Sequence, residues 1–134
     1  MSTRATGAFE ITGWDGAPYD EREGATLTRA RLTKTYRGDL EGESTTDLLF
    51  AEAQEEGSGA YAGLERFVGS VHGRPGSFVL RHGESSSRGE RPEAATLGVV
   101  PDSGTGELRG LRGEARIVVD EDGGHAFTLN YDLE

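Results

Sequence analysis

Apolar and polar residues alternate with a period of two along almost the whole chain, and glycine-bearing turns interrupt that alternation at short intervals. Successive side chains of a strand point to opposite faces, so this pattern specifies a sheet with one dry face and one wet one. No helical period longer than a turn competes with it. The last segment is the clearest. Phe127, Leu129, Tyr131 and Leu133 fall on one face, and Thr128, Asn130 and Asp132 on the other.

Followed from the start, the alternation predicts a flexible lead-in over residues 1–6 and a single domain over residues 7–134. Phe9 and Ile11 share a face of a first strand that ends near Trp14. A polar, acidic connection then runs from Asp15 to Thr26, placed to cover a barrel mouth or to serve as an ordinary solvated link. Leu32, Lys34 and Tyr36 share a face of a second strand. A third covers Ser44 to Ala53, with Leu48 and Phe50 on one side. The fourth aligns Tyr61, Gly63, Glu65 and Phe67, and the fifth Phe78, Leu80 and His82. A polar loop from Glu84 to Pro92 precedes a sixth strand near Ala94 to Val100, and the seventh is Ala115 to Val119. Turns at Gly38–Gly42, Gly69–Gly73 and Gly106–Gly110 share a Gly-x-x-x-Gly form, where glycine supplies the positive φ of tight connections. About eight antiparallel strands of this length close into an all-β meander barrel, which leaves no exposed edge. Such a barrel has an interior that side chains fill or that holds one small ligand.

Composition narrows the partners. With 14 Lys and Arg against 24 Asp and Glu, the net charge of −10 leaves no basic stripe for a phosphate backbone or an anionic membrane. The absence of cysteine removes disulfides, thiolate metal sites and a cysteine nucleophile. Neither a signal-peptide core nor a membrane-length apolar run is present, so a cytoplasmic location is expected. His72, His82 and His125 show no short ligand spacing, although a site assembled across strands stays open. The Ser103–Gly110 segment lacks the Lys-Ser/Thr ending of a phosphate-binding loop, and no nucleotide fingerprint occurs, so no cofactor is implied.

The residues also carry a resemblance. Gly7-Ala-Phe-Glu-Ile11, the run from Thr28 to Ser44, Gly63-Leu-Glu-Arg66, Gly76-Ser-Phe-Val-Leu80 with His82, the glycine-rich turn from Ser103 to Gly113 and the C-terminal Thr128–Glu134 are together similar to a bacterial domain-of-unknown-function family, number three-two-two-four, with an allene-oxide-cyclase-like barrel. The glycine-rich turn is also similar to one in plant allene oxide cyclases and dirigent proteins. That resemblance implies an eight-stranded barrel, often a homo-oligomer, whose lumen steers a reactive hydrophobic intermediate. The catalytic residues of the plant families do not map onto this chain, so cyclase chemistry follows from fold analogy alone.

Three inward strand faces each carry one ionisable residue: Lys34, Glu65 and His82. A charge facing a dry interior is costly unless paired, which makes these residues candidates for proton transfer, with Glu65 or His82 as base and Lys34 as donor. Alternatively, Lys34 and Glu65 form a structural ion pair inside the barrel, or a bulge turns one outward. Tyr36, Tyr61 and Tyr131, with Phe67 and Phe78, are candidate ligand contacts or simply core. Gly63 leaves room for a ligand or marks a bend. Arg66 points outward, and His72 and His125 read as exposed turn residues. Three functions fit: a barrel binding a small hydrophobic molecule, a cofactor-free isomerase or cyclase, and a structural or interaction protein with a packed lumen.

Overall fold

The computed structural model describes residues 2–90 and 95–133. Nine strands form: β1 (Thr3–Arg22), β2 (Ala25–Gly38), β3 (Leu40–Ala53), β4 (Gly59–Val71), β5 (Arg74–Ser86), β6 (Ala95–Val99), β7 (Thr105–Gly106), β8 (Arg112–Val119) and β9 (His125–Asp132). Pairing runs β4-β3-β2-β1-β9-β8-β6-β5, and the antiparallel β4–β5 hairpin closes the ring. Eight strands therefore make an antiparallel barrel, and β7 is a two-residue addition to β5.

Several boundaries differ from the sequence expectation. The lead-in is strand from Thr3 onward, because Thr3 to Phe9 pair with Tyr131 to His125 and Ala5 is fully buried. The acidic connection is not a loop either. β1 continues through it to Arg22 along β2, with register shifts between Ile11 and Gly13 and between Pro18 and Asp20. Bulges of this kind hide a strand from a period-two reading. Positions 91, 92 and 94 of the expected loop and sixth strand lie outside the described residues, as does residue 134. Glu84 belongs to β5.

Strand lengths decide the barrel's shape. β1 to β5 run 13 to 20 residues, whereas β6, β8 and β9 run five to eight. Beyond Phe9, β1 leaves β9, and β5 pairs with β6 only at Leu80 to His82. One end is thus a closed barrel, and the other continues as a curled sheet of long strands with a concave inner face.

The closed end is filled. Phe67, Phe78, Phe127, Leu40, Leu80, Leu97 and Leu129 have essentially no exposure, and each large apolar side chain so buried contributes about 1.5–3 kcal/mol. Tyr36 meets Phe67 and Phe127 edge-on at ring separations of 5.3 and 5.2 Å. The glycine-rich turn does more than lead into β8. Gly106 adopts φ +61°, and Glu107 N–H donates to Pro75 O at 2.8 Å, which folds the segment back. Leu108 and Leu111 are thereby fully buried in the core cluster.

Antiparallel partners share a face, so the register carries each inner row around the sheet. Lys34, Ser44, Phe67 and Phe78 form one row. Leu32, Thr46, Glu65 and Leu80 form the next, and Ala30, Leu48, Gly63 and His82 the one above. Toward the open end follow the row of Thr28, Phe50, Tyr61 and Glu84 and, outermost, that of Thr26, Glu52, Gly59 and Ser86. Gly63 makes no ligand space here. A Cβ there would meet Leu48 Cδ2 at 2.5 Å and collide with the Asp47 carbonyl, so the position serves close strand approach. Gly63→Ala is expected to cost about 1–3 kcal/mol in urea unfolding, the usual effect of overpacking. An unchanged unfolding midpoint would contradict that reading.

Candidate functional site

The inner rows bring Lys34, Glu65 and His82 together. Glu65 is 0% exposed, and Lys34 and His82 side chains are each 5% exposed. Lys34 Nζ donates to Glu65 Oε1 at 3.0 Å, and His82 Nε2 lies 2.7 Å from the same oxygen. Tyr36 and Ser44 hydroxyls each donate to Oε2 at 2.6 Å. The four donors come from β2, β3 and β5 and converge on a single residue of β4. The Lys34 ammonium also stands 4.4 Å from the Phe9 ring centroid.

The electrostatics favour an ionised Glu65. Burial alone would raise its pKa, but the His82 hydrogen bond, the charges of Lys34 and His82 and the Ser44 hydroxyl together lower it to about 2. The Tyr36 phenol moves the other way. Burial, then the adjacent Glu65 charge, push it well above its usual value, so it stays a donor. Because an ionised carboxylate only accepts, His82 donates to it through Nε2. Nδ1 has no hydrogen-bond partner among the described residues. Directly opposite Glu65 in the same inner row, Thr46 Oγ1 is buried without a hydrogen-bond partner among the described residues.

Other candidates fall into two groups. Tyr36, Phe67 and Phe78 are buried in the core cluster of the closed end. Tyr131 is also buried at that end, where its hydroxyl lies 2.6 Å from His72 Nδ1, and burial raises its pKa. Of the five candidate ligand contacts, only Tyr61 sits at the open end, where it flanks a cavity of about 480 Å³. His125, expected to be exposed, stacks on Phe9 at 4.8 Å and is half-buried.

The sequence places Trp14 at the exit of the first strand, beside the acidic connection. It lies directly opposite Leu32, so it is on the concave face and not on a loop. It is nevertheless 58% exposed. Its ring is 6.0 Å from Phe50, which is 5.9 Å from Tyr61, so three aromatic residues line one wall of the open end. Ser44 was legible, since two-residue spacing from Thr46 and Leu48 puts it inward. The Trp14 position was not, because a bulge precedes it.

A ring of antiparallel strands, plugged at one end and carrying a buried ionic cluster below an open aromatic mouth, defines a small β-barrel. The chain belongs to the DUF3224 family of proteins of unknown function, whose model matches residues 5–131. It is similar to the crystal structure of a protein of unknown function from that family in Shewanella oneidensis MR-1, with 35% identity and a TM-score of 0.85 over 100% of this chain and 98% of that one. A structure described as pyocyanin demethylase shares 12% identity and a TM-score of 0.41 over 97% of this chain and 100% of that one, which bears on neither fold nor function. No curated protein matches. Among the described residues no helix is long and apolar enough to cross a membrane.

Proposed function

We propose that the barrel binds a small hydrophobic molecule in its open half, with the ionic cluster as the polar floor of the site. The observation that carries this reading is Trp14, a large aromatic residue 58% exposed on the concave face of a closed sheet, with its ring tilted against Phe50, which in turn adjoins Tyr61. Exposed apolar surface inside a concavity, with a few convergent polar groups beneath, is the usual make-up of a ligand site.

A second reading is favoured by the Glu65–His82 pair. In a cofactor-free isomerase or cyclase, His82 Nδ1 would accept the substrate proton. Glu65, with both oxygens engaged and its pKa about 2, is unsuited to be the base itself. It acts as the positioning residue that holds the His82 tautomer, and Lys34 balances its charge.

Native mass spectrometry of protein purified gently from its host tests both readings. A bound small molecule on the wild type, lost from Phe50→Ala and Tyr61→Ala but kept by Phe78→Leu, is the expected result. Accumulation of a ligand on His82→Gln above the wild-type level would indicate turnover. No bound species, together with Trp14 emission unmoved by hydrophobic probes, would overturn the binding reading in favour of a barrel without a ligand.

A further inference from the structure

We infer that the molecule taken up at the open end is an organic cation: an apolar or aromatic body carrying a protonated or quaternary nitrogen. This rests on the reading that the mouth binds a small molecule. The cavity of about 480 Å³ lies where β3, β4 and β5 run past the closed barrel. Phe50 and Tyr61 form its wall. Its ionisable lining among the described residues, apart from the Tyr61 phenol, consists of carboxylates, Glu52, Glu55, Glu56 and Glu84, with no lysine or arginine.

Two of these carboxylates belong to the inner face itself. Glu84 lies opposite Tyr61 and one alternation beyond His82, and Glu52 follows Phe50 by one alternation. The rings and the acids therefore share one concavity. Below them, the Lys34 ammonium and the His82 ring are both engaged with Glu65. A cation resting on an aromatic face gains from the ring quadrupole, and a neighbouring carboxylate adds a Coulombic gain in a partly dry site. An anion meets the same carboxylates and a chain of net charge −10.

The chemistry recognised is then an amine beside the rim carboxylates and an apolar body against the Phe50 and Tyr61 rings.

The chain's single tryptophan, its ring 6.0 Å from the cavity-lining Phe50, reports on this site as a neighbour. Phenethylammonium, 2-phenylethanol and phenylacetate share a body and differ in charge, and each is titrated at millimolar concentration while Trp14 fluorescence and backbone chemical shifts are followed. Phenethylammonium is expected to bind about ten-fold more tightly than the alcohol, and phenylacetate more weakly than either. Glu52→Gln with Glu84→Gln should bring the amine down to the alcohol's affinity and leave the alcohol unchanged. Should that double variant fail to fold, salt supplies the same discrimination on the wild type, weakening the amine and sparing the alcohol. Equal binding of amine and alcohol, or tighter binding of phenylacetate, overturns the cation class while the ligand-binding mouth stands. Amine shifts spread over the outer acidic surface and insensitive to the two substitutions also overturn it. Silence of Trp14 and of the mouth residues with all three probes overturns both.

Discussion

Glu65→Leu is expected to destabilise the protein by about 3–5 kcal/mol, the usual cost of removing one partner of a buried ion pair. The leucine removes the acceptor of the Lys34 ammonium, which is 5% exposed and has no water to fall back on. It also strips the Tyr36 and Ser44 hydroxyls and His82 Nε2 of the group they now bond. Orphaned buried donors keep their desolvation penalty and lose the compensating bond. Lys34→Met combined with Glu65→Leu should recover a large part of the loss, since the buried charges then disappear together. Urea unfolding followed by circular dichroism measures the cycle. A single-variant cost below about 1 kcal/mol, or a double variant no better than Glu65→Leu, would show that the cluster does not hold the strands together.

Acid should act through the same residue. The folded carboxyl of Glu65 titrates at about 2 against an ordinary value of 4.5. Between those pH values the unfolded chain binds a proton that the folded chain does not. The contribution of Glu65 is therefore full above about pH 4.5 and is lost as pH falls toward 2. Its size is on the order of 3 kcal/mol, since a residue fully removed from solvent titrates at about 2 instead of 4.5. Asp47, exposed and paired with Arg31, has a lowered pKa from that pairing and adds little because water screens it. The measurement is the difference in unfolding free energy between wild type and Glu65→Gln across pH 2–6. It should narrow by that amount as pH drops, and a difference independent of pH would refute the assignment.

Much of this cluster was legible before any coordinates. Alternation alone put Lys34, Glu65 and His82 on inward faces, and the sequence reading already held open the pairing of Lys34 with Glu65 that the structure contains. Ser44 followed from the same spacing. What alternation could not supply was depth. Tyr36, Phe67 and Phe78 share the inward faces with Tyr61, yet the first three are core and the fourth borders a cavity. Depth depends on which strands stop, and the short β6, β8 and β9 close the barrel only around its lower rows. His72 reads as exposed at a turn and is exposed, but only the closing of the barrel brings Tyr131 to its ring.

By itself, the sequence determined the all-β class, the glycine-bearing turns, and the inward face of β2 to β5 and β9. These are local properties, set by the two-residue period of a strand and the φ preferences of glycine. The tertiary structure decided where that period is broken and what meets across the lumen. Two register shifts in β1 carried the acidic segment into the sheet and left Trp14 on the concave side. Ring closure brought donors from β2, β3 and β5 onto Glu65 of β4. Both outcomes depend on pairing between residues distant in sequence, which no local pattern encodes because a shift of one residue exchanges the two faces of a strand.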